Sequence, residues 1–584
     1  MELNLQNEEA RIANYILQND LSEYEKIIER EQDIDIVQSL SPIRKNILNW
    51  YPFKENCRIL EIGANFGEVT EVFIEKASEV VAIEENEKKA EAIQKRYEKA
   101  SNLKIIVDKL ENINIEEKFD YCIIYSPKLI KYALNYTKLD GKILLATNNR
   151  FGICYFAGAS KNGRIYDTIQ NEKQDLYSKQ EIEEELSKLQ IKNYKFYYPL
   201  PNYKMPNVIF SSDYLPNENT TKLMYNIMYE KGSVVVFDEL KAIKQLTKNK
   251  QFEFFANSYL VEIQNIQNLE KSNVKFVSFN NNRKEKYRLA TIIEEDLEKQ
   301  ETVAIKEIIS KEAQEHMQNI KLNTKKLTEL GFEMLDKIEE NKVISKYIEG
   351  DTLDKIIAKN ILNKNIEKAY ELIDNWYNYI KEKLIKNKKS AINENIKVAK
   401  EELEGLTILK NGYIDLVFEN TFYKDGKFMF FDQEWYKDGI PIEYLLYRAI
   451  NNMYSYNLEL NGILSKTQIF KRYNLEKYLE LFKKIEEFIQ KDIIDEKMQA
   501  INNLSLEKLY DINMASLLVK QIENYKQNDA KQTKYITEIE TDNKNKQAYI
   551  NVLEDKIKDL NQKLQEATIS QEKPEKKRSL FFRK

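Results

Sequence analysis

The sequence predicts a multidomain chain in which an α/β unit is followed by an α+β unit and then by a coiled coil. Three observations point to this. Between Cys57 and Ala146 short β-branched runs alternate with helical patterns, and an acidic residue stands at or beside the end of the first three runs. That is the pattern of a Rossmann-like parallel sheet wrapped by helices. From Ser233 a fresh series of strands leads into a helix-rich stretch. From Ile536 apolar residues recur at alternating spacings of three and four, which marks a heptad seam.

At roughly 100–200 residues per domain, 584 residues make three or more units. Charged residues form 32% of the chain and hydrophobic residues 42%, enough for sizeable cores under a well-solvated surface. Only 14 glycines and 9 prolines interrupt it, so long helices should dominate. The formal charge of −5 argues against a nucleic-acid partner. Cys57, Cys122 and Cys154 fit no disulfide framework or zinc spacing and read as reduced core thiols. The N-terminus has no apolar signal region, and no run approaches the ~20 residues that span a bilayer. The expected location is the cytoplasm, free or peripheral on the inner face of the cytoplasmic membrane. The expected divisions are a helical segment over 1–40, the α/β unit over 41–220, two lobes over 221–348 and 349–530, the coiled coil over 531–570 and a basic, aromatic tail over 571–584.

The first unit opens with a strand at Arg58–Ile62, a loop, and a helical pattern from Glu68. Gly63 and Gly67 bracket a turn where backbone must pass close to a ligand. A second strand, Glu79–Ile83, ends at Glu84, and a third, Ser101–Val107, ends at Asp108. Open α/β sheets bind ligands at the carboxyl ends of their strands. Glu84 is therefore placed to accept two ribose hydroxyls and Asp108 to meet an adenine edge, with Glu61 near the other end of the ligand. Strands at Phe119–Tyr125 and Lys142–Ala146 complete the set. The loop is E-x-G-x-x-x-G and lacks the G-x-G-x-x-G that admits a dinucleotide pyrophosphate. It resembles motif I of the class I methyltransferases, with Glu61 for the commoner Asp, which implies S-adenosylmethionine as cofactor. Thr147–Ala159 and Phe196–Pro216 resemble methyltransferases of bacterial surface-polysaccharide clusters. That family usually has Asp where this chain has Asn202, so the acceptor site is expected to differ. The only histidine, His316, lies outside this unit. The methyl acceptor must then use a carboxylate or tyrosine base, or be an anion that needs none.

The second unit has strands at Lys275–Phe279, Tyr287–Glu294 and Glu301–Ile309, the first preceded by an apolar run at Ser233–Phe237. The third of these contains Val303-Ala304-Ile305-Lys306 and leads into a helix over Ser310–Leu330. A strand lysine before a helix is how kinases hold ATP phosphates, a helix glutamate pairing the ammonium; Glu315 is the expected partner, with Glu312 next. Asp415 and Asn420 then stand in D-x-x-x-x-N, and Asp432 ends Phe430-Phe431-Asp432. In that order Asp415 would accept a hydroxyl proton while Asn420 and Asp432 held Mg²⁺. Glu349-Gly350-Asp351 resembles the interlobe hinge of aminoglycoside-phosphotransferase-like kinases, which implies a two-lobed kinase-like fold. Two features depart from that pattern: Tyr413 replaces the histidine of protein kinases, and Phe279–Lys286 has no glycine-rich phosphate loop.

In the heptad seam Ile536, Asn543, Ile550, Ile557 and Leu564 fall at a, and Ile539, Lys546, Leu553, Leu560 and Ala567 at d. This predicts self-association as a dimer or trimer. The tail, with Lys576-Lys577-Arg578 beside Leu580-Phe581-Phe582, suits an anionic membrane surface or an acidic groove on a glycosyltransferase.

The order of units resembles the WbdD-type bifunctional methyltransferase/kinases that terminate bacterial O-antigen chains. The resemblance implies ATP, Mg²⁺ and S-adenosylmethionine as cofactors and a glycan or lipid-linked polysaccharide acceptor, phosphorylated and then methylated at its end. Two other readings stay open: a glycan methyltransferase with a catalytically inactive kinase-like binding domain, and a scaffold for glycosyltransferases.

Overall fold

Five parallel strands form the first part of the main sheet: β1 (Arg58–Ile62), β2 (Glu79–Glu84), β3 (Leu103–Val107), β4 (Phe119–Ile124) and β5 (Thr137–Asn148), in spatial order 3-2-1-4-5. β1 and β4 are buried on both faces. This is why they read as continuous apolar runs instead of alternating ones. The computed structural model describes residues 7–160, 166–170, 176–217, 220, 223–224, 233, 236–264, 272–339, 342–385, 391–398, 400–499 and 540–566.

Beyond β5 the chain adds β6 (Asn193–Leu200), β7 (Val208–Ser211) and β8 (Ser258–Gln264), and the order becomes 5-8-6-7 with every neighbour antiparallel. β8 pairs along its whole length with β5, from Lys142↔Gln264 to Asn148↔Ser258. The boundary expected at residue 220 therefore moves, because a strand of the first unit lies some forty residues past it. All seven residues of β8 are buried, so it needs a strand on either side. Buried Glu262 within it is satisfied by the Tyr51 hydroxyl, Lys142 Nζ at 3.2 Å and the Ser272 N–H at 3.1 Å. Of the strand-like run at Ser233–Phe237, Val234 and Val235 lie outside the described residues, and Val236 and Phe237 form a bend.

The sheet does not stop at β7. It passes by antiparallel pairing to β9 (Val274–Phe279), then to β10 (Leu289–Asp296) and β11 (Glu301–Ile308). β12 (Glu333–Met334) leaves it to pair with the strand Lys427–Phe430, while β13 (Asp336–Ile338) and β14 (Lys342–Lys346) return to its far edge. Among the described residues thirteen strands result, in one sheet. One apolar cluster runs from Ile59 in β1 through Leu260 in β8 and Val277 in β9 to Ile305 in β11. The two halves expected as separate units thus share both hydrogen bonds and core.

Three helices, Asn7–Gln18, Tyr24–Glu31 and Ile34–Leu40, precede β1. Ile12, Ile16, Ile28 and Ile36 pack with Phe66 of the loop after β1 in one core cluster, so the described residues 7–40 pack onto the first unit and are not a separate element. After β14 the chain is mainly helical: Leu353–Leu362, Ile366–Leu384, Ile442–Tyr456, Lys466–Arg472 and Leu479–Ile493 bury Trp376, Phe418 and Tyr444 in a core of their own. Cys57, Cys122 and Cys154 are all buried and none is in a disulfide.

The region to Ile512 forms one unit and Asn513–Lys584 another. In the second, residues 540–566 are helical. Ile550, Leu553, Ile557, Leu560 and Leu564 are all exposed on it. Asp542–Lys546 and Asp559–Lys563 pair at i,i+4 at 2.8 and 2.7 Å, acid first, the favourable order against the helix dipole. Ile536, Ile539, Ala567 and the tail at 571–584 lie outside the described residues. No helix among the described residues is long and apolar enough to cross a membrane.

Candidate active sites

The first site is built on the turn after β1. Gly63 has φ +80°, a conformation that L side chains rarely adopt, and open space faces its α-carbon. Gly67 has φ +73° for a different reason: a Cβ there would meet the Tyr97 ring at 2.9 Å. The Tyr97 hydroxyl also donates to the Gly67 carbonyl at 2.5 Å. Of the two glycines expected beside a ligand, Gly63 lines a cleft, while a Cβ at Gly67 would meet the Tyr97 ring.

At the end of β2, buried Glu84 accepts the backbone N–H of Asn65 at 2.8 Å through one oxygen and that of Asn86 at 3.0 Å through the other. Its carboxylate thereby ties the turn after β1 to the end of β2 and keeps further lone pairs for a ligand's hydroxyls. Burial raises its pKa. Asp108 is exposed at the end of β3, accepting from Asn112 at 2.8 Å and the Lys109 N–H at 2.7 Å, and the Asn112 bond lowers its pKa.

Glu61 is fully buried. One carboxylate oxygen accepts from Thr70 Oγ1 at 2.6 Å and the other from the Tyr125 hydroxyl at 2.8 Å. Burial pushes its pKa up to about 7 against those two hydrogen bonds. It supports the site through Tyr125, which itself lines the cleft. A raised folded pKa means that the folded state holds a proton the unfolded chain has released. Stability from this group is fully present below the ordinary carboxylate range and is lost as pH rises from about 4.5 through 7, by up to roughly 3 kcal/mol. Glu61→Gln should therefore gain thermal stability relative to wild type as pH rises from 5 to 7.5. A melting-temperature difference that does not change with pH would refute this.

A cleft of about 380 Å³ opens beside Gly63 under the N-terminal helices. Arg44, Glu68, Tyr125, Tyr203 and Lys204 are among the residues that line it. Burial and the neighbouring Glu61 carboxylate hold the Tyr125 phenol well above its ordinary pKa, so it faces the cleft neutral.

The second site gathers around Lys306 of β11. Its buried ammonium pairs with Asp432 and with Glu434. Burial works against that charge, but the two carboxylates raise the lysine pKa. The expected partner is corrected here: Glu315 and Glu312 are both exposed. The helix begins at Gln314, and at about 100° per residue its inward face is His316, Met317, Ile320, Asn323 and Leu327. His316 takes the inward place, with Nε2 3.2 Å from Glu434 and its ring stacked on Trp435 at 4.5 Å. Arg283 completes the cluster on Glu434 and lies 5.3 Å from the Trp435 ring.

Asp432 has φ +60°, an uncommon backbone for a residue with a Cβ and one often found at functional sites. Its N–H donates to Asp336 of β13 at 3.0 Å. The Asn420 amide donates to the carbonyls of Asp415 at 3.2 Å and of Asp432 at 3.3 Å. Asp415 accepts the N–H groups of Glu434 and Trp435 at 2.9 and 2.8 Å, and burial raises its pKa to about 7. Lys306, Asp415, Asn420 and Asp432 therefore stand in one connected group, and Glu315 stands outside it. The turn Phe279–Lys286 is pinned: Asn281 bonds Asn46 at 2.8 Å and Asn207 at 3.1 Å, and the Lys284 N–H reaches Ile493 at 3.0 Å. Among the described residues no group of three His, Cys, Asp or Glu side chains is arranged for a metal ion.

Sequence reasoning missed Arg44, Glu434 and the place of His316. Glu434 carried a signal, an acid two residues after Asp432. Arg44, in Pro42-Ile43-Arg44-Lys45, carried none.

The first half of the sheet is Rossmann-like. The solved structures to which the chain is similar include S-adenosylmethionine-dependent methyltransferases. One from Thiobacillus denitrificans is 17% identical, over 19% of this chain and 49% of that one, with a TM-score of 0.18. The CcbJ methyltransferase of Streptomyces caelestis is 12% identical over 19% and 50%, TM-score 0.17. A possible histamine N-methyltransferase of Thermotoga maritima is 12% identical over 42% and 98%, TM-score 0.26. The chain spans about half the length of the first two. No protein-family model and no curated protein matches.

Proposed function

We propose that the chain is a bifunctional enzyme, a class I S-adenosylmethionine-dependent methyltransferase joined to an ATP-dependent sugar kinase, that caps the end of a bacterial surface polysaccharide. The observation that supports the methyltransferase half is the junction of β1 and β2. Gly63 opens onto a cleft, and Glu84 stands at a strand end where a ribose would lie. The residues fit S-adenosylmethionine: Glu84 would hold the ribose, Asp108 the adenine edge, and the Gly63 turn the methionine half. When bound, that cofactor supplies the methyl group. This chain orients it, Tyr125 faces the cleft neutral, and an acceptor that is already an anion would need no base.

The kinase half rests on the connected group of Lys306, Asp415, Asn420 and Asp432. Lys306 would hold nucleotide phosphates, Asn420 and Asp432 would hold Mg²⁺, and Asp415, raised to about 7, would take the proton from a sugar hydroxyl. The exposed seam over 550–564 would join copies of the chain. The tail at 571–584 would dock the assembly on a membrane or a glycosyltransferase.

A second reading, an inactive kinase-like domain that only binds the glycan, is favoured by one specific observation. Lys306 is already claimed by both Asp432 and Glu434, and the turn that would cover phosphates is fastened at Asn281 and Lys284. One experiment separates the two. The full chain is incubated with candidate oligosaccharides, labelled ATP and labelled S-adenosylmethionine, each omitted in turn. Methyl incorporation that needs ATP, and that Asp415→Asn lowers at least ~100-fold, is the expected result. Methylation independent of ATP supports the binding-domain reading, and no methylation at all overturns both.

A further inference from the structure

Three turns meet at a buried cluster of side-chain amides. Asn46 stands in the 3-10 turn Pro42–Ile47, Asn207 in the turn between β6 and β7, and Asn281 in the turn between β9 and β10. All three are buried. The Asn46 amide donates to the Asn281 side-chain oxygen at 2.8 Å and to the Pro206 carbonyl at 3.2 Å. The Asn281 amide donates in turn to the Asn207 side-chain oxygen at 3.1 Å. A buried amide left without its partner forfeits more than the net worth of the bond, so the cluster fixes the three turns relative to one another.

Two of these turns shape the first site and the third reaches the second. Arg44 of the first turn and Tyr203 and Lys204 of the second line the cleft beside Gly63. The third turn carries Arg283, which pairs with Glu434, and Glu434 pairs with Lys306. That turn is fastened further to the helical half. The Lys284 N–H reaches the Ile493 carbonyl at 3.0 Å, the Asp495 N–H reaches the Asn282 carbonyl at 2.9 Å, and Arg288 pairs with Asp495 at 2.9 Å. A nucleotide whose phosphates took Lys306 and whose metal took Asp432 would enter between two groups that are paired here, and so part the sheet from the helical half. The turn then follows the half that holds it at several points, and Asn281 is drawn away from Asn46 and Asn207.

We propose that this asparagine cluster couples the two sites so that their ligands oppose one another: a nucleotide at Lys306 weakens the cofactor in the cleft, and the cofactor weakens the nucleotide by the same factor. The inference rests on both halves of the proposed function and adds their regulation. The chain favours one ligand at a time, and phosphorylation and methylation alternate on it. Asn46, Asn207 and Asn281 are positioning residues: none of them lines the cleft or pairs with Lys306.

The test is calorimetry on the full chain with S-adenosylhomocysteine and a non-hydrolysable ATP analogue with Mg²⁺, each titrated alone and against a saturating amount of the other. Each should weaken the other by about 5- to 50-fold, with equal factors in the two orders of addition. Asn281→Ala cuts the link. It should bind S-adenosylhomocysteine more weakly than wild type and the analogue more tightly, and neither ligand should shift the other by more than about twofold. Asn46→Ala, which leaves Asn281 its bond to Asn207, should lose part of the coupling, and it decides the matter if Asn281→Ala binds neither ligand. No mutual weakening in wild type, mutual strengthening, or undiminished coupling in both variants overturns the proposal. A wild type that binds only one ligand, or neither, shows this in the single titrations; the corresponding half of the functional reading then falls, and the coupling with it.

Discussion

Glu434→Ala should lower the stability of the chain by about 3–5 kcal/mol, an effect expected to exceed that of any surface change. Glu434 is buried and holds Lys306, Arg283 and His316 at once. Truncation leaves Asp432 to balance Lys306 and removes the ion-pair partner of the Arg283 guanidinium. Burial alone would raise the pKa of Glu434, but Arg283 and Lys306 outweigh it and hold the group well below the ordinary range. A depressed folded pKa contributes stability that is present above the ordinary carboxylate value and lost as pH falls through the folded one. Glu434→Gln should accordingly be milder than alanine, and the advantage of wild type over it should shrink below about pH 4. Thermal unfolding across pH checks both points. A Glu434→Ala variant within about 1 kcal/mol of wild type would mean that the cluster holds nothing together. The same variant removes a negative neighbour of Asp415, whose pKa should then fall from about 7.

The second large effect is on ligand binding. Glu84→Ala should weaken S-adenosylhomocysteine by about 100-fold or more, since it removes the acceptor proposed for two ribose hydroxyls at roughly 1.5–3 kcal/mol per charged hydrogen bond. It also strips the Asn65 and Asn86 N–H groups of their partner, which loosens the turn bearing Gly63. Glu84→Gln keeps one acceptor oxygen and should fall between alanine and wild type. The alanine variant should weaken 5′-methylthioadenosine, which lacks the amino-acid end, as strongly, because the ribose is common to both molecules. A change of less than threefold by calorimetry would exclude Glu84 from the ribose site.

Much of both sites could be read from local pattern. β1 to β5, the glycine turn and the acids at strand ends follow from short-range signals: β-branched runs, a loop, then helical period. The strand lysine, D-x-x-x-x-N and Asp432 were legible in the same way, since each is defined within a few residues of itself. Glu315 was misplaced because the helix start fell at Gln314 instead of Ser310. At about 100° per residue, the local start and the packing of Ile320 and Leu327 decide which side chain turns inward.

The sequence by itself determined the strands β1 to β5 and β9 to β11 and the turns that close them, because those follow from periodicity and from the conformational limits of each residue; it did not mark β8, and Val236 and Phe237 in the strand-like run at 233–237 form a bend. Only the tertiary structure decided who pairs with whom. β8 enters between β5 and β6 from more than a hundred residues past β5, and β7 carries the same sheet on to β9. β8 carries buried Ser258, Glu262 and Gln264, so its own pattern does not announce that both its faces are covered, nor against what. The tertiary structure likewise set His316 and Arg283 around Glu434, because a buried charge is defined by neighbours that the local sequence does not contain.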